Sequence, residues 1–269
     1  MKNKVKSKKG NIKIGLPVVV IISTLVISIL AYNFVFGNPV NFQGNDPANQ
    51  PIPGNYFGII YKGGFIVPIL MCLMMVVLTF SVERFFAIKK AKGKGPVVTF
   101  VQEVMCQVSD GRIDQAIGEC EKQEGSVANV IRSALKKYQE VEKEKDMVKD
   151  MKLLSIQKKE EEAMALELPG LDENLAILAT IASIATLMGL LGTVLGMIRA
   201  FAALANAGAP DSVALAAGIS EALINTALGI GTAAIAIVAY NYFTSQIDKL
   251  TYSIDEAGLS IVETYATRH

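Results

Sequence analysis

Four long apolar runs alternate with polar stretches along this chain. They extend from Ile14 to Phe36, from Gly63 to Val82, from Asn174 to Ile198, and from Val213 to Phe243, the last interrupted by one acid, Glu221. About 20 helical residues cover a hydrocarbon core of about 30 Å. Continuous apolar segments satisfy their backbone in that medium only as helices. The pattern therefore predicts an all-α membrane protein with four transmembrane helices, at 14–36, 63–86, 174–205 and 213–243.

Charge gives the direction. Lys2, Lys4, Lys6, Lys8, Lys9 and Lys13 precede the first run, and Arg84, Lys89, Lys90, Lys92 and Lys94 follow the second. Cationic flanks stay on the cytoplasmic side. Residues 1–13 are then a basic cytoplasmic N-terminus, 37–62 a periplasmic loop, 87–173 a cytoplasmic helical domain, 206–212 a periplasmic turn, and 244–269 a cytoplasmic C-terminal helix or tail. The expected location is the inner membrane, multi-pass, with both termini in the cytoplasm. A competing reading makes 1–36 a cleaved signal peptide. Against it, the apolar run is longer than a usual signal core and no clean Ala-x-Ala site follows.

Between the second and third runs, Val97 to Tyr138 has helical apolar spacing broken at Asp110-Gly111 and Glu124-Gly125-Ser126, which fits two or three helices. From Val127 to about Glu167 lysine and glutamate mix densely, a pattern expected of a solvated helix face laced with (i, i+4) ion pairs. Pro169-Gly170 predicts a break before the third span.

Composition removes several function classes. The formal charge of +1 offers no basis for nucleic-acid binding. Cys72, Cys106 and Cys120 lack metal-ligand spacing and read as reduced thiols. The single histidine is the terminal His269, a poor place for preorganised catalysis. The chain is read as a non-enzyme without a cofactor or metal site.

Glu221 is the sharpest chemical feature. An ionisable side chain at a span centre costs roughly 2.5–3.5 kcal/mol even on insertion scales. If the span begins at Val213, Glu221 lies about 12 Å along it at a 1.5 Å rise per residue; if it begins at Ala222, Glu221 is a boundary residue. In the buried case desolvation favours the neutral acid, and the group becomes charged only when water, a cation or another charge reaches it. Such a group can carry a proton. Asn225 and Thr232 fall within roughly 40° of Glu221 on the same helix face. Ser183, Thr186 and Thr193 lie near one face of the third span, where simple back-bonding is as good an explanation as proton transfer. Small residues recur at 3–4 spacing on both spans: Ala182, Ala185, Gly189, Gly192 and Gly196, and Ala222, Thr226, Gly229, Ala233 and Ala236. Such stripes let membrane helices pack closely. Arg199, near the end of the third span, is read as reaching for the interface or pairing with Asp211.

The stretch from Ile181 to Ile198, followed by Phe201, resembles the signature of the MotA/TolQ/ExbB proton-channel family, and so does Gly218 to Gly229. The resemblance covers roughly residues 63–250 and makes the extra N-terminal span an addition to a three-span core. It implies a homopentamer around a dimer of a single-span ExbD-like partner in the central pore, with proton flow turning one against the other. By motif position Glu221 matches the essential membrane glutamate, Thr193 and Thr226 line its pathway, and a membrane aspartate on the partner is the other proton-handling group.

Three departures stand out. Thr186 replaces a usual proline, Asn225 replaces a small apolar residue and could bond Glu221, and the first span with its loop has no inherited role. The expected function is an ExbB-type stator that, with ExbD-like and TonB-like partners, energises transport across the outer membrane. A TolQ-like role in envelope maintenance, a gliding or secretion motor, and a membrane scaffold without ion flux are the alternatives. A solute transporter would need more spans and a broken-helix site.

Overall fold

The computed structural model describes residues 15–205 and 211–268. The basic segment 1–13, most of the expected turn at 206–212, and His269 lie outside the described residues. The described elements are α1 Gly15–Ala31, α2 Tyr56–Tyr61, α3 Ile66–Lys92, α4 Val97–Ser109, α5 Ile113–Gln123, α6 Gly125–Lys143, α7 Lys149–Asp172, α8 Leu175–Leu204 and α9 Ser212–Arg268. No strand occurs among the described residues. Four helical stretches are long and apolar enough to cross a membrane, lying within Pro17–Phe36, Ile66–Ser109, Lys149–Leu204 and Ser212–Arg268. The protein is an all-α, multi-pass membrane protein.

The chain divides into two compact units. The first contains residues up to Phe80 together with Ile177–Ala239. Here α1 meets α3 through Thr24, whose Oγ1 lies 3.5 Å from Cys72 Sγ. A π-helical turn, Tyr32–Phe36, prolongs α1. The connection to α2 is held by polar side chains that cap exposed backbone: Asn41 Nδ2 donates to the carbonyls of Val35 and Phe36, and Asn55 Oδ1 accepts from the amides of Phe57 and Gly58. Phe42 is buried there, Tyr32 stacks on Tyr61 at 4.7 Å, and Lys62 Nζ donates to the carbonyls of Pro47 and Ala48. Burial moves the Lys62 amine below its ordinary range, an effect that Asp46 partly opposes.

The second unit contains Ser81–Ala176 and Tyr240–His269. Its helices are separated where the backbone needs a left-handed conformation, at Gly111 (φ +77°) and at Glu124 (φ +57°) followed by Gly125 (φ +84°). The apolar faces of α4, α5, α6, α7 and the distal part of α9 bury Val104, Val108, Ala116, Ile131, Leu135, Tyr138, Ile156, Ile254, Ile261 and Tyr265. Tyr138 and Tyr265 meet edge to face at 4.8 Å.

Two expectations are corrected here. Pro169 does not end a helix: α7 continues to Asp172, and the break falls at Asn174, with φ +67°. A proline removes one amide and crowds the carbonyl four residues before it. The end of α7 is instead secured from outside, because the buried Arg84 donates through Nη1 to the carbonyls of Gly170 (3.1 Å) and Leu171 (3.0 Å). Arg84 is itself neutralised by Glu83. The lysine-glutamate stretch is also not one solvated face. Two within-helix ion pairs there, Lys137–Glu140 and Lys159–Glu162, have (i, i+3) spacing, and Glu160 is buried.

Candidate functional site in the α8–α9 packing

The first unit places the chemistry on α8 and α9. Asp211 starts α9 by accepting from the amides of Val213 and Ala214 through Oδ1, a normal N-cap arrangement. Because the helix begins at Ser212, Glu221 sits in its interior rather than at its first turn. Asp211 is therefore occupied as a cap and is not the partner of Arg199.

Arg199 pairs with Glu221. Its Nη1 lies 2.7 Å from both carboxylate oxygens. The two members differ in environment: the Glu221 side chain is 7% exposed, that of Arg199 54%. An unpaired carboxylate among apolar helices is strongly disfavoured, and a cation at this distance offsets much of that penalty. The backbone closes another side of the carboxylate. Gly64 has φ +77°, and a Cβ built there would overlap Glu221 Oε1 while lying 3.6 Å from Arg199 Nη1. Only glycine combines that backbone conformation with that approach.

Asn225 is fully buried, and its Nδ2 donates to the Gly63 carbonyl at 2.8 Å. It does not bond Glu221 in this structure: its amide group is directed to the residue before Gly64. No protein group bonds its Oδ1 among the described residues. A buried carbonyl oxygen without a donor is costly.

Thr193 and Thr226 bond to each other across the two helices. Each is also engaged within its own helix, Thr193 with the Gly189 carbonyl at 3.1 Å and Thr226 with the Ala222 carbonyl at 3.0 Å. The back-bonding expected of Thr193 is present, together with a cross-helix bond that the sequence did not suggest. Thr232 is buried and back-bonds to Leu228, whereas Thr186 is exposed and back-bonds to Ala182. Thr186 does not join the cluster.

The four glycines singled out for packing all lie in the interface between α8 and α9. A Cβ at Gly189 would stand 3.0 Å from the Asn225 carbonyl oxygen and 3.1 Å from Gly229 Cα. At Gly196 it would reach the Ala222 amide at 2.7 Å, and at Gly229 the Ala185 carbonyl at 2.7 Å. At Gly192 it would overlap the Asn225 side chain. The backbones therefore approach closely enough for Thr193 to reach Thr226, which longer side chains along this seam would prevent.

A second buried acid lies in the other unit. Glu160, on α7, faces Asp255 and Gly258 of α9 in a cavity of about 250 Å³. Burial, then the charges of Asp255 and Glu161, push its carboxyl up to about 7. A run of alternating charges conceals such a residue, since whether it finds a cationic partner, which it does not among the described residues, depends on distant segments. Cys120, in the same unit, is buried, and burial pushes its thiol up to about 12, which leaves it unreactive.

Residues 122–256, half of the chain, match the MotA/TolQ/ExbB proton channel family. Among curated proteins, the chain is 40% identical over 88 residues to a Tol-Pal system protein TolQ of Haemophilus influenzae, covering 33% of this chain and 39% of the relative. It is 30% identical over 127 residues to the TolQ of Pseudomonas aeruginosa, covering 47% and 55%. A longer match, 28% identical over 202 residues, is to a putative biopolymer transport protein ExbB homolog of Methanothermobacter thermautotrophicus, covering 72% and 66%. In each case the chain spans less than two thirds of the relative's length. The matched family segment contains Glu221, Arg199, both threonines, Asn225 and the packing glycines.

Proposed function

Because the chain belongs to the MotA/TolQ/ExbB proton channel family, we propose that it is the multi-pass subunit of a proton-driven motor in which Glu221 is the group that takes up and releases the proton. The observation that supports this most directly is a carboxylate buried inside an apolar helix whose only described counter-charge, Arg199, sits on a half-exposed side chain. A carboxylate needed only for packing would be replaced by an apolar residue at lower cost. Thr193 and Thr226 supply hydroxyls in the seam between α8 and α9, and Asn225 supplies a buried carbonyl oxygen on α9. These groups are suited to ordering water on a short polar path between α8 and α9.

In the finer reading the subunit is of the ExbB type, lies in the inner membrane with both termini cytoplasmic, and forms a homopentamer around an ExbD-like single-span dimer. A TonB-like protein would carry the resulting motion to transport across the outer membrane. A TolQ-like role in envelope maintenance is favoured by a different observation, the 40% identity to the Haemophilus influenzae TolQ over 88 residues. Both assignments use the same buried acid.

The test replaces Glu221 by Gln and measures proton-motive-force-dependent function in cells at matched membrane abundance and partner binding. Loss of function with assembly intact supports the motor. Retained function makes Glu221 a packing residue and the chain a scaffold.

A further inference from the structure

Resting on that reading, we infer that Arg199 is a positioning residue that gates Glu221: its guanidinium holds the carboxylate charged and clamped, and a proton can load only when the guanidinium lets go.

The geometry of the pair supports a gate over a fixed structural bridge. A bridge built for permanence matches the two nitrogens of arginine to the two oxygens of a carboxylate, one bond each. Here one nitrogen, Nη1, serves both oxygens at 2.7 Å. Nε and Nη2 make no hydrogen bond to protein among the described residues. The single-nitrogen contact forms and breaks through rotation of one side chain, without dismantling a fork.

Burial is distributed in the same sense. Glu221 is enclosed on its own helix, with the backbone of Gly64 against Oε1. Arg199 is half exposed on α8, where its outward-facing neighbours Val194, Ile198, Phe201 and Leu204 are apolar. The arginine can therefore swing away without opening the packing, whereas the glutamate cannot. Movement in the pair falls to Arg199.

The energetics make the exchange reciprocal. A buried carboxylate is neutralised either by a neighbouring cation or by a bound proton. Nη1 occupies both oxygens, so the two forms of neutralisation compete for the same atoms. With the guanidinium in place the acid remains charged; with it withdrawn, the uncompensated charge draws a proton. Arg199 acts only through Glu221, and the sequence gives no hint of this beyond a cation near the end of a span.

The test is infrared spectroscopy of the full chain in lipid at neutral pH, comparing wild type, Arg199→Gln, Arg199→Lys and the double variant Arg199→Gln with Glu221→Gln. Glu160, pushed up to about 7, gives all four proteins a common protonated-carboxyl background; an additional stretch should appear in the Arg199→Gln minus wild-type difference spectrum and be absent from the double variant, which assigns it to Glu221. Wild type and Arg199→Lys should show only the Glu160 background, and the lysine variant tests whether a kept charge is enough to hold Glu221 ionised. A Glu221 band already present in wild type, or none gained in Arg199→Gln, overturns the gate. This readout follows the charge on one carboxyl, while the Glu221→Gln cell assay follows coupling, so each idea can fail alone.

Discussion

Thr193 of α8 and Thr226 of α9 share a hydrogen bond across the helix seam while each keeps a bond to its own helix. Interhelical hydrogen bonds in membranes are worth about 0.6 kcal/mol on average, so this contact is too weak to be the reason the helices associate. Its value lies in orienting two hydroxyls in the seam that holds Asn225 and Glu221. Thr193→Val and Thr226→Val should each reduce proton-coupled activity at least several-fold while shifting detergent unfolding by no more than about 1 kcal/mol. The double variant should be little worse than either single one, since both remove the same link. Additive losses in the cell assay would show that the threonines act separately.

The glycine seam makes a sharper stability prediction. Gly229→Ala would place a methyl 2.7 Å from the Ala185 carbonyl, a contact that backbone can relieve only by separating α8 from α9. Overpacking of this kind typically costs about 1–3 kcal/mol. Gly231, two positions on, has nothing within 4 Å of its would-be Cβ. Gly231→Ala should be neutral or stabilising by up to about 1 kcal/mol from helix propensity. Thermal unfolding of the two variants in one detergent compares them directly, and equal midpoints would contradict the close approach.

Gly64 offers an independent probe of the acid. Gly64→Ala forces an L side chain into φ +77° and presses a methyl on Glu221 Oε1. The left-handed conformation alone costs about 1 kcal/mol. The larger consequence should be functional, with coupling falling more steeply than protein abundance, because the carboxylate must move from its position beside Arg199. Activity that merely tracks abundance would reduce Gly64 to a turn residue.

How much of this was legible depends on distance along the chain. Glu221 announces itself because a lone acid within an apolar run has few bland explanations. The small-residue stripes also show in the sequence, although not which glycine meets which backbone. Arg199 does not announce itself: an arginine near a span end is equally well explained by the interface, and its partner is set by how α8 and α9 pack. Asn225 is harder still, since its helical spacing suggests Glu221 while its bond goes to Gly63, 162 positions away. Pro169 misleads for a related reason, because Arg84 secures the end of α7 across a separation of 86 to 87 residues. Local rules locate elements; the pairing of buried polar groups is a property of the packed chain.

Glu160 yields the pH prediction. Its carboxyl titrates near 4.5 when unfolded and is pushed up to about 7 in the folded chain, first by burial and then by Asp255 and Glu161. Below about pH 4.5 both states hold the proton, so the site makes no difference to stability. Between about 4.5 and about 7 the folded chain still holds the proton that the unfolded chain has released. The folded state then binds more protons, and stability falls as pH rises through this window. Above it the loss levels off, at no more than about 3–4 kcal/mol, taking 1.36 kcal/mol per pH unit as the upper bound. Glu160→Gln keeps the shape without the charge, so it should leave unfolding unchanged at about pH 4.5 and stabilise the chain at about pH 8. Asp255→Asn, which removes the second-largest cause, should give a smaller gain in the same direction. Melting curves of the full chain in detergent across that range decide the matter: parallel profiles for wild type and Glu160→Gln would mean that Glu160 is already ionised in the folded protein and that the cavity around it admits water.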